Sequence, residues 1–190
     1  SSGASDISNG WQKLTSSCGS IANAVIALLE ILYKAEVERI YITNEKLQSA
    51  GDASLSFPVS QIESQQQAFA DKASDSATYA SHLSQFLQQR AQGEELASHR
   101  DELQKAASIL AQRAQEIVNQ ANECMDEPDD SSRQDKFHSL NKDVMNKGNE
   151  IIMRIKEIEN ERNRARIPSA ATSSPPVVEV KTAPQKVKDE

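Results

Sequence analysis

The side chains best suited to chemistry in this sequence are three histidines, two cysteines and one acidic cluster. The histidines are His82, His99 and His138, and no two of them are three or four residues apart, so no single helix can present a pair of imidazoles to a metal. The Glu-x-x-His motif of di-iron bundles is missing, and the six glycines are too scattered to form a phosphate-binding loop. We therefore predict a protein that is not an enzyme and that uses no metal and no cofactor.

The two cysteines, Cys18 and Cys124, each fall in an apolar stripe with helical spacing. Neither has a histidine beside it that would suggest an activated thiolate. We expect two small buried thiols. A disulfide between them stays open as an alternative, provided that the first and third helices meet at matching heights.

The acidic cluster spans residues 126–132 and reads Asp-Glu-Pro-Asp-Asp-Ser-Ser. It lacks the ligand spacing of a calcium-binding loop. Carboxylates favour the positive end of a helix dipole, so the cluster is better explained as the start of a helix. Ser132 and Asp135 are the expected capping residues.

The composition favours long helices with a thin core. Only 37% of the 190 residues are hydrophobic and 4% are aromatic, which suits helices that meet along narrow apolar stripes. We predict an all-α fold, an elongated antiparallel bundle of three or four long helices with coiled-coil character and disordered termini. The net charge of −7 argues against nucleic acid and anionic membranes as partners.

The first helix is predicted over residues 11–49. Leu28, Leu29 and Leu32 are expected in the core, in its most apolar stretch, which runs from Ile21 to Ala35. Those 15 residues are fewer than the 20 or so that span a bilayer, so we expect a helix buried on several sides, with membrane contact as the alternative. The whole stripe comprises Trp11, Leu14, Cys18, Ile21, Val25, Leu28, Leu29, Leu32, Val37, Ile40 and Leu47.

The middle of the chain predicts one long helix or two shorter ones. Ser60 and Glu63 form a capping box that would begin the second helix. Gly93 then allows either a turn or an uninterrupted rod, because one glycine costs a helix only about 1 kcal/mol. The cleanest apolar stripe follows it and comprises Leu96, Leu103, Ala107, Leu110, Ala114, Ile117, Ala121 and Cys124.

The last helix is predicted over residues 134–164 and carries a heptad pattern over about four repeats. Its apolar positions include Val144 and three isoleucines, and we expect Ile151→Asp to cost several kcal/mol because it would place an unpaired charge in a helix seam. The end of this helix and the tail after it are the expected partner-binding region. The candidate contact residues are Ile151, Ile155, Ile158, Arg162, Arg164 and Arg166.

These features divide the chain into three parts. Residues 1–10 are Ser-, Gly- and Asn-rich and predict a disordered leader. Residues 11–164 form the helical domain, and residues 165–190, with four prolines, predict a disordered tail.

Heptad stripes become buried only against other helices, so we predict a protein-interaction or assembly module, with other protein chains, including copies of itself, as partners. A secreted microbial helical protein, such as a surface antigen or a tip, translocator or filament component of an export apparatus, is one alternative. A lipid-binding amphipathic bundle is another. The sequence does not fix the compartment, although it favours the cytoplasm over secretion.

Overall fold

The structure consists of four long helices. The computed structural model describes the backbone of residues 2–166 and, within it, the side chains of residues 7–165. The helices are α1 (Ser2–Leu55), α2 (Gln66–Gln92), α3 (Ala97–Asp126) and α4 (Ser131–Arg166), with a 3-10 turn (Val59–Gln61) between the first two. This part of the chain contains no strand, and the predicted all-α bundle is confirmed.

The helices run alternately up and down around one core. α1 packs against α2 and α4, and α3 packs against the same two helices from the opposite corner. The Tyr41 hydroxyl donates to Glu159 at 2.8 Å, and Gln48 donates to the carbonyl of Met145 at 2.9 Å, so α1 and α4 are antiparallel. Short connections join helices that are neighbours in the sequence, as expected for an antiparallel bundle.

The predicted stripes of α3 and α4 form the core together with apolar residues of α2. Leu103, Leu110 and Ile117 of α3 are at most 2% exposed, and full burial of each such side chain contributes roughly 1.5–3 kcal/mol. In α4, Val144 and the predicted isoleucines are buried as well. The remaining large apolar side chains of this core are Ile62, Phe69, Leu83, Leu87 and Phe137, with Val37, Ile40 and Leu47 from α1.

The first helix differs from its prediction at both ends and along half its length. It extends from Ser2 to Leu55, and therefore includes most of the segment that was expected to be a leader. Leu28, Leu29 and Leu32 were predicted in the core, but they are 56%, 57% and 52% exposed. The reason is geometric: α2 and α4 contact α1 at Tyr33, on a face of the helix that Leu28 and Leu32 do not share, and no described helix covers these leucines.

The second helix begins six residues later than predicted. Ser60 lies in the 3-10 turn, and α2 begins at Gln66 without a side-chain cap, so the capping box with Glu63 was wrong. The physical reason is the buried Ile62, which is 2% exposed and holds the segment after Pro58 against the core. Gly93 lies in a turn that separates α2 from α3, so the middle of the chain forms two helices and not one uninterrupted rod.

The start of α4 is capped by a different residue from the one predicted. Asp130 Oδ1 accepts a hydrogen bond from the backbone amide of Ser132 at 2.9 Å, and Asp130 Oδ2 pairs with Arg133 at 3.2 Å. Asp130 is therefore the cap, and the predicted pair of Ser132 and Asp135 was wrong. The acidic cluster acts as a helix start, as expected.

Two further contacts fix the register of the bundle. The buried Ser76 hydroxyl donates to Asn141 Oδ1 at 2.9 Å, which pins α2 to α4. At Gly148, α4 passes so close to α1 that an added Cβ would lie 3.3 Å from Leu47 Cδ2 and inside van der Waals contact with Asn44. Both contacts need one specific alignment of their helices, so a shift by one turn would break them.

Candidate protein interface

The most unusual surface of the molecule is the first half of α1, which we call the arm (residues 7–32). Every described side chain of the arm is exposed except that of Glu30, which is half-buried. The arm projects from the end of the bundle formed by the α2–α3 turn and the C-terminus of α4. At a rise of about 1.5 Å per residue, it is about 40 Å long.

The arm carries large apolar side chains at regular steps of four and three residues. Seven of them are between 50% and 65% exposed. Soluble monomers rarely display so long a row of apolar groups, and such surfaces usually mark interaction sites. We call this row the arm stripe; it comprises Ile7, Trp11, Leu14, Cys18, Ile21, Val25, Leu28 and Leu32.

The arm stripe does not continue the buried stripe of the same helix. The buried stripe begins at Tyr33 and Val37, whereas the arm stripe ends at Leu28 and Leu32. At about 100° per residue, the mean directions of these two pairs differ by about 140°. Helices that extended α2 or α4 in a straight line would therefore cover the wrong face of the arm.

Charge is almost absent from the arm. Between residues 7 and 29 the only charged residue is Lys13, and Glu30 and Lys34 follow at the base. The rest of the polar face consists of Ser, Thr, Asn, Gln and Gly. Like-charge repulsion therefore does not oppose contact at the stripe. The arm also has no strong electrostatic attraction for acidic or basic surfaces.

A polar cluster holds the base of the arm; we call it the collar (Tyr33, Arg90, Glu94, His99, Glu161 and Arg162). The ring of Tyr33 lies between two guanidinium groups, with Arg90 Cζ at 4.2 Å and Arg162 Cζ at 4.1 Å from its centroid. Such cation–π contacts contribute about 0.5–2 kcal/mol each. They join α1 to both α2 and α4 at the point where the arm leaves the bundle.

The rest of the collar links the remaining helices. Arg90 pairs with Glu94 at 2.6 Å, both groups being buried, and His99 Nε2 lies 3.1 Å from Glu161. His99 is only 6% exposed, because the turn at Gly93 folds α3 back over α4. Tyr33 Oη and His99 Nδ1 have no hydrogen-bond partner among the described residues.

Two shallow clefts flank the collar. One, of about 240 Å³, lies between Tyr33 and Lys34 of α1 and Glu159 of α4. The other, of about 270 Å³, is lined by Leu96, His99 and Ile158 among others. Leu96 was expected in the core stripe of α3, but it is 56% exposed, since it is the residue that precedes the helix.

The partner-binding residues predicted in α4 occupy three different environments. Ile151, Ile155 and Ile158 are at most 5% exposed and pack inside the chain's own bundle, so contact with a partner there would require the bundle to open. Arg162 is half-buried against Tyr33, and Arg164 is exposed. The side chain of Arg166 and the tail from residue 167 lie outside the described residues. Partner binding at these residues stays a prediction.

The two cysteines lie far apart and are both free thiols. Cys18 is exposed on the arm, which corrects the expectation that it is buried. Cys124 is 1% exposed near the other end of the bundle, where Gln66 of α2 contacts the neighbouring Met125. Burial raises the pKa of the Cys124 thiol to about 11. A disulfide between them is therefore absent from this fold.

Sequence reasoning missed the arm as a surface, although one signal was present. The apolar residues of the first helix recur every three or four positions, but the step from Leu32 to Val37 is five. A five-residue step rotates the stripe to another face of the helix, so a change of environment is expected there.

Comparison of this chain with protein-family models, with curated proteins and with solved structures finds no match. The interpretation of the arm therefore rests on its own residues and geometry.

Proposed function

We propose that this protein is a non-enzymatic assembly module, in which the bundle is a rigid base and the arm pairs with helices of other protein chains. The observation that carries the proposal is the arm stripe itself, which no helix of the described part of the chain covers. Its apolar side chains are exposed at the spacing with which helices pack side by side in coiled coils.

The burial of the two halves of α1 supports a structural role for the bundle and a binding role for the arm. The bundle half of α1 already has partners within the chain, and its Ile40 and Leu47 are fully buried. The arm stripe has the same spacing, and no helix of the described residues covers it. An isolated helix of this length is marginal in water, so a binding helix from another chain would stabilise it.

A membrane is the second candidate partner, because α1 contains an 18-residue window that is apolar and uncharged enough to cross one. The arm is less suited to crossing a membrane than to packing against a helix of another chain. Residues 21–32 are apolar on most sides, but they span only about 18 Å, against a hydrocarbon core of about 30 Å. Ser16 and Ser20 in the preceding turns, with Asn23 of this segment, form one polar face.

Site-specific photo-crosslinking in the cells that produce the protein tests the proposal. The photoreactive residue p-benzoylphenylalanine replaces Val25, which lies on the arm stripe, or Asn23, which lies on the opposite face. We expect covalent adducts with polypeptide from position 25 and few or none from position 23. Mass spectrometry of the adducts identifies what lies against each face.

Equal adduct formation at both positions, or adducts only with lipid at position 25, would overturn the proposal. Lipid adducts would instead assign the arm to a membrane. A third variant, with the photoreactive residue at the exposed His82 on the bundle surface, measures the background of random collisions.

A further inference from the structure

We infer that the partner of the arm is the arm of a second copy of this chain, aligned parallel and in register. This inference rests on the proposed function and names the partner. In heptad notation the arm stripe alternates between two positions, a and d. Trp11, Cys18, Val25 and Leu32 occupy a, and Ile7, Leu14, Ile21 and Leu28 occupy d.

The area of the stripe is sufficient for a stable pair. Its seven large apolar residues are 50–65% exposed. At about 100 Å² of exposed surface each, two arms offer about 1,400 Å², which exceeds the roughly 1,200 Å² at which specific interfaces begin. Leu29 and Ile31, at 57% and 63% exposed, lie beside the stripe and widen it.

The residues flanking the stripe permit a copy of the same chain. In coiled coils the e and g positions set partner choice through their charges, and like charges exclude a homotypic pair. None of the eight flanking residues of the arm is charged, so two identical arms meet without repulsion. They are Ser8, Thr15, Ala22 and Leu29 at e, and Gly10, Ser17, Ala24 and Ile31 at g.

The apolar groups are concentrated at one end of the arm, which favours the parallel alignment. In a parallel pair the rich segments, residues 21–32, meet each other, so Leu29 and Ile31 become covered. A fully overlapping antiparallel pair would set them at the level of Gly10 and Ser8, where they would stay exposed. Apolar surface left in water is unfavourable in proportion to its area.

An antiparallel pair centred on the rich segments has a different defect. It would lay the first half of each arm along the outer face of the partner's bundle. That face carries charged residues, including Glu38, Glu45 and Lys46. Leu14 would then lie against charge, whereas the parallel alignment places it against a second leucine.

Sedimentation equilibrium of the purified full-length chain tests self-pairing. We expect twice the mass of one chain at micromolar concentration. The variant Ile21→Glu/Leu28→Glu puts two charges into the stripe and should weaken association by at least about 100-fold. Both positions are solvent-exposed in the single chain, so its melting temperature under dilute conditions should stay unchanged. The matched control Asn23→Glu, on the opposite face, should still pair.

Cysteine crosslinking tests the alignment. The variant Cys18→Ser/Leu32→Cys is treated with diamide, which accepts the two electrons and two protons given up when two thiols form a disulfide. A parallel pair puts residue 32 opposite residue 32, so a crosslinked dimer is expected. In the fully overlapping antiparallel pair the two residues would be about 37 Å apart, too far for a disulfide. The control Cys18→Ser/Asn23→Cys should stay uncrosslinked.

Three results would overturn the inference: a single-chain mass at 100 µM and above, pairing that survives Ile21→Glu/Leu28→Glu, or a dimer in which position 32 does not crosslink. A chain ending at Arg166 must also pair, since otherwise the tail supplies the contact. If the chain is monomeric but position 25 photo-crosslinks to a different polypeptide in cells, self-pairing is wrong and the assembly function stands. Adducts with lipid alone would reject both.

Discussion

The two halves of α1 have the same kind of sequence pattern and opposite environments. Between Tyr33 and Leu55 one apolar stripe is buried, in which Val37 is 3% exposed and Ile40 and Leu47 are inaccessible to solvent. From residue 7 to residue 32 the apolar positions recur at the same intervals and are exposed. The pattern therefore specifies that a helix has a face to bury, whereas the placement of the neighbouring helices decides which face is buried.

The largest difference between the halves should appear when one charge is placed in each stripe. We expect Ile40→Asp to lower the free energy of unfolding by about 4 kcal/mol or more, because it leaves an unpaired carboxylate in the core. Ile21→Asp should change it by no more than about 0.5 kcal/mol, since the side chain is already in water. Urea unfolding of dilute protein measures both, and similar losses would contradict the division of α1 described here.

Glycines in the two halves give the next comparison. Gly148→Ala should lower stability by about 1–3 kcal/mol, because the new methyl group meets Asn44 where α4 crosses the bundle half of α1. Gly19→Ala has open space around it on the arm and should favour the helix by about 1 kcal/mol. Thermal unfolding tests the first change, and amide hydrogen exchange of the arm tests the second. Equal effects of the two substitutions would show that the crossing is looser than the structure indicates.

The boundary between the halves can be tested at Tyr33. Tyr33→Ala removes the ring that Arg90 and Arg162 contact, so we expect a loss of about 1–2 kcal/mol and faster hydrogen exchange at the base of the arm. Tyr33→Phe keeps the ring and removes a hydroxyl that has no partner among the described residues, so stability should change by less than about 1 kcal/mol. A large loss in the phenylalanine variant would mean that the hydroxyl is bonded.

The smallest effect concerns the cysteines, one in each environment. At pH 8 we expect a thiol reagent to label Cys18 rapidly and Cys124 only when the protein unfolds, because burial raises the pKa of Cys124 from 9.0 to about 11. That same shift means that the unfolded chain loses its proton first, so stability falls as the pH rises from 9 to 11. Mass spectrometry after timed labelling checks the first expectation, and the variant Cys124→Ala should remove this contribution from the alkaline loss of stability.

Much of the fold could be predicted from local patterns. In α3 and α4 the turn residues at the helix ends and the spacing of the apolar residues indicate the same helices. Leu103, Leu110, Ile151 and Ile155 are buried where their spacing indicates. Helix starts were less predictable: Ser60 has the right neighbours for a cap, but the burial of Ile62 decides the local conformation. The sequence of one segment does not show whether a helix cap or a tertiary contact will determine its conformation.

The candidate interface was the harder part to predict, since exposure depends on where other helices end. Leu28 and Leu32 are as apolar as any core residue, but they lie on a face of α1 that none of the described helices covers. His99 shows the converse case: it is a polar residue near a turn, and it is buried because its own helix, α3, folds back against α4.

The cation–π contacts on both faces of Tyr33 have a mechanical consequence. The arm leaves the bundle at this ring. Given an arm length of about 40 Å, a tilt of 10° at the ring would move the tip of the arm by about 7 Å. Two guanidinium groups pressing from opposite sides resist tilting in either direction. The contacts of one tyrosine thus limit how far the direction of the arm can vary relative to the bundle.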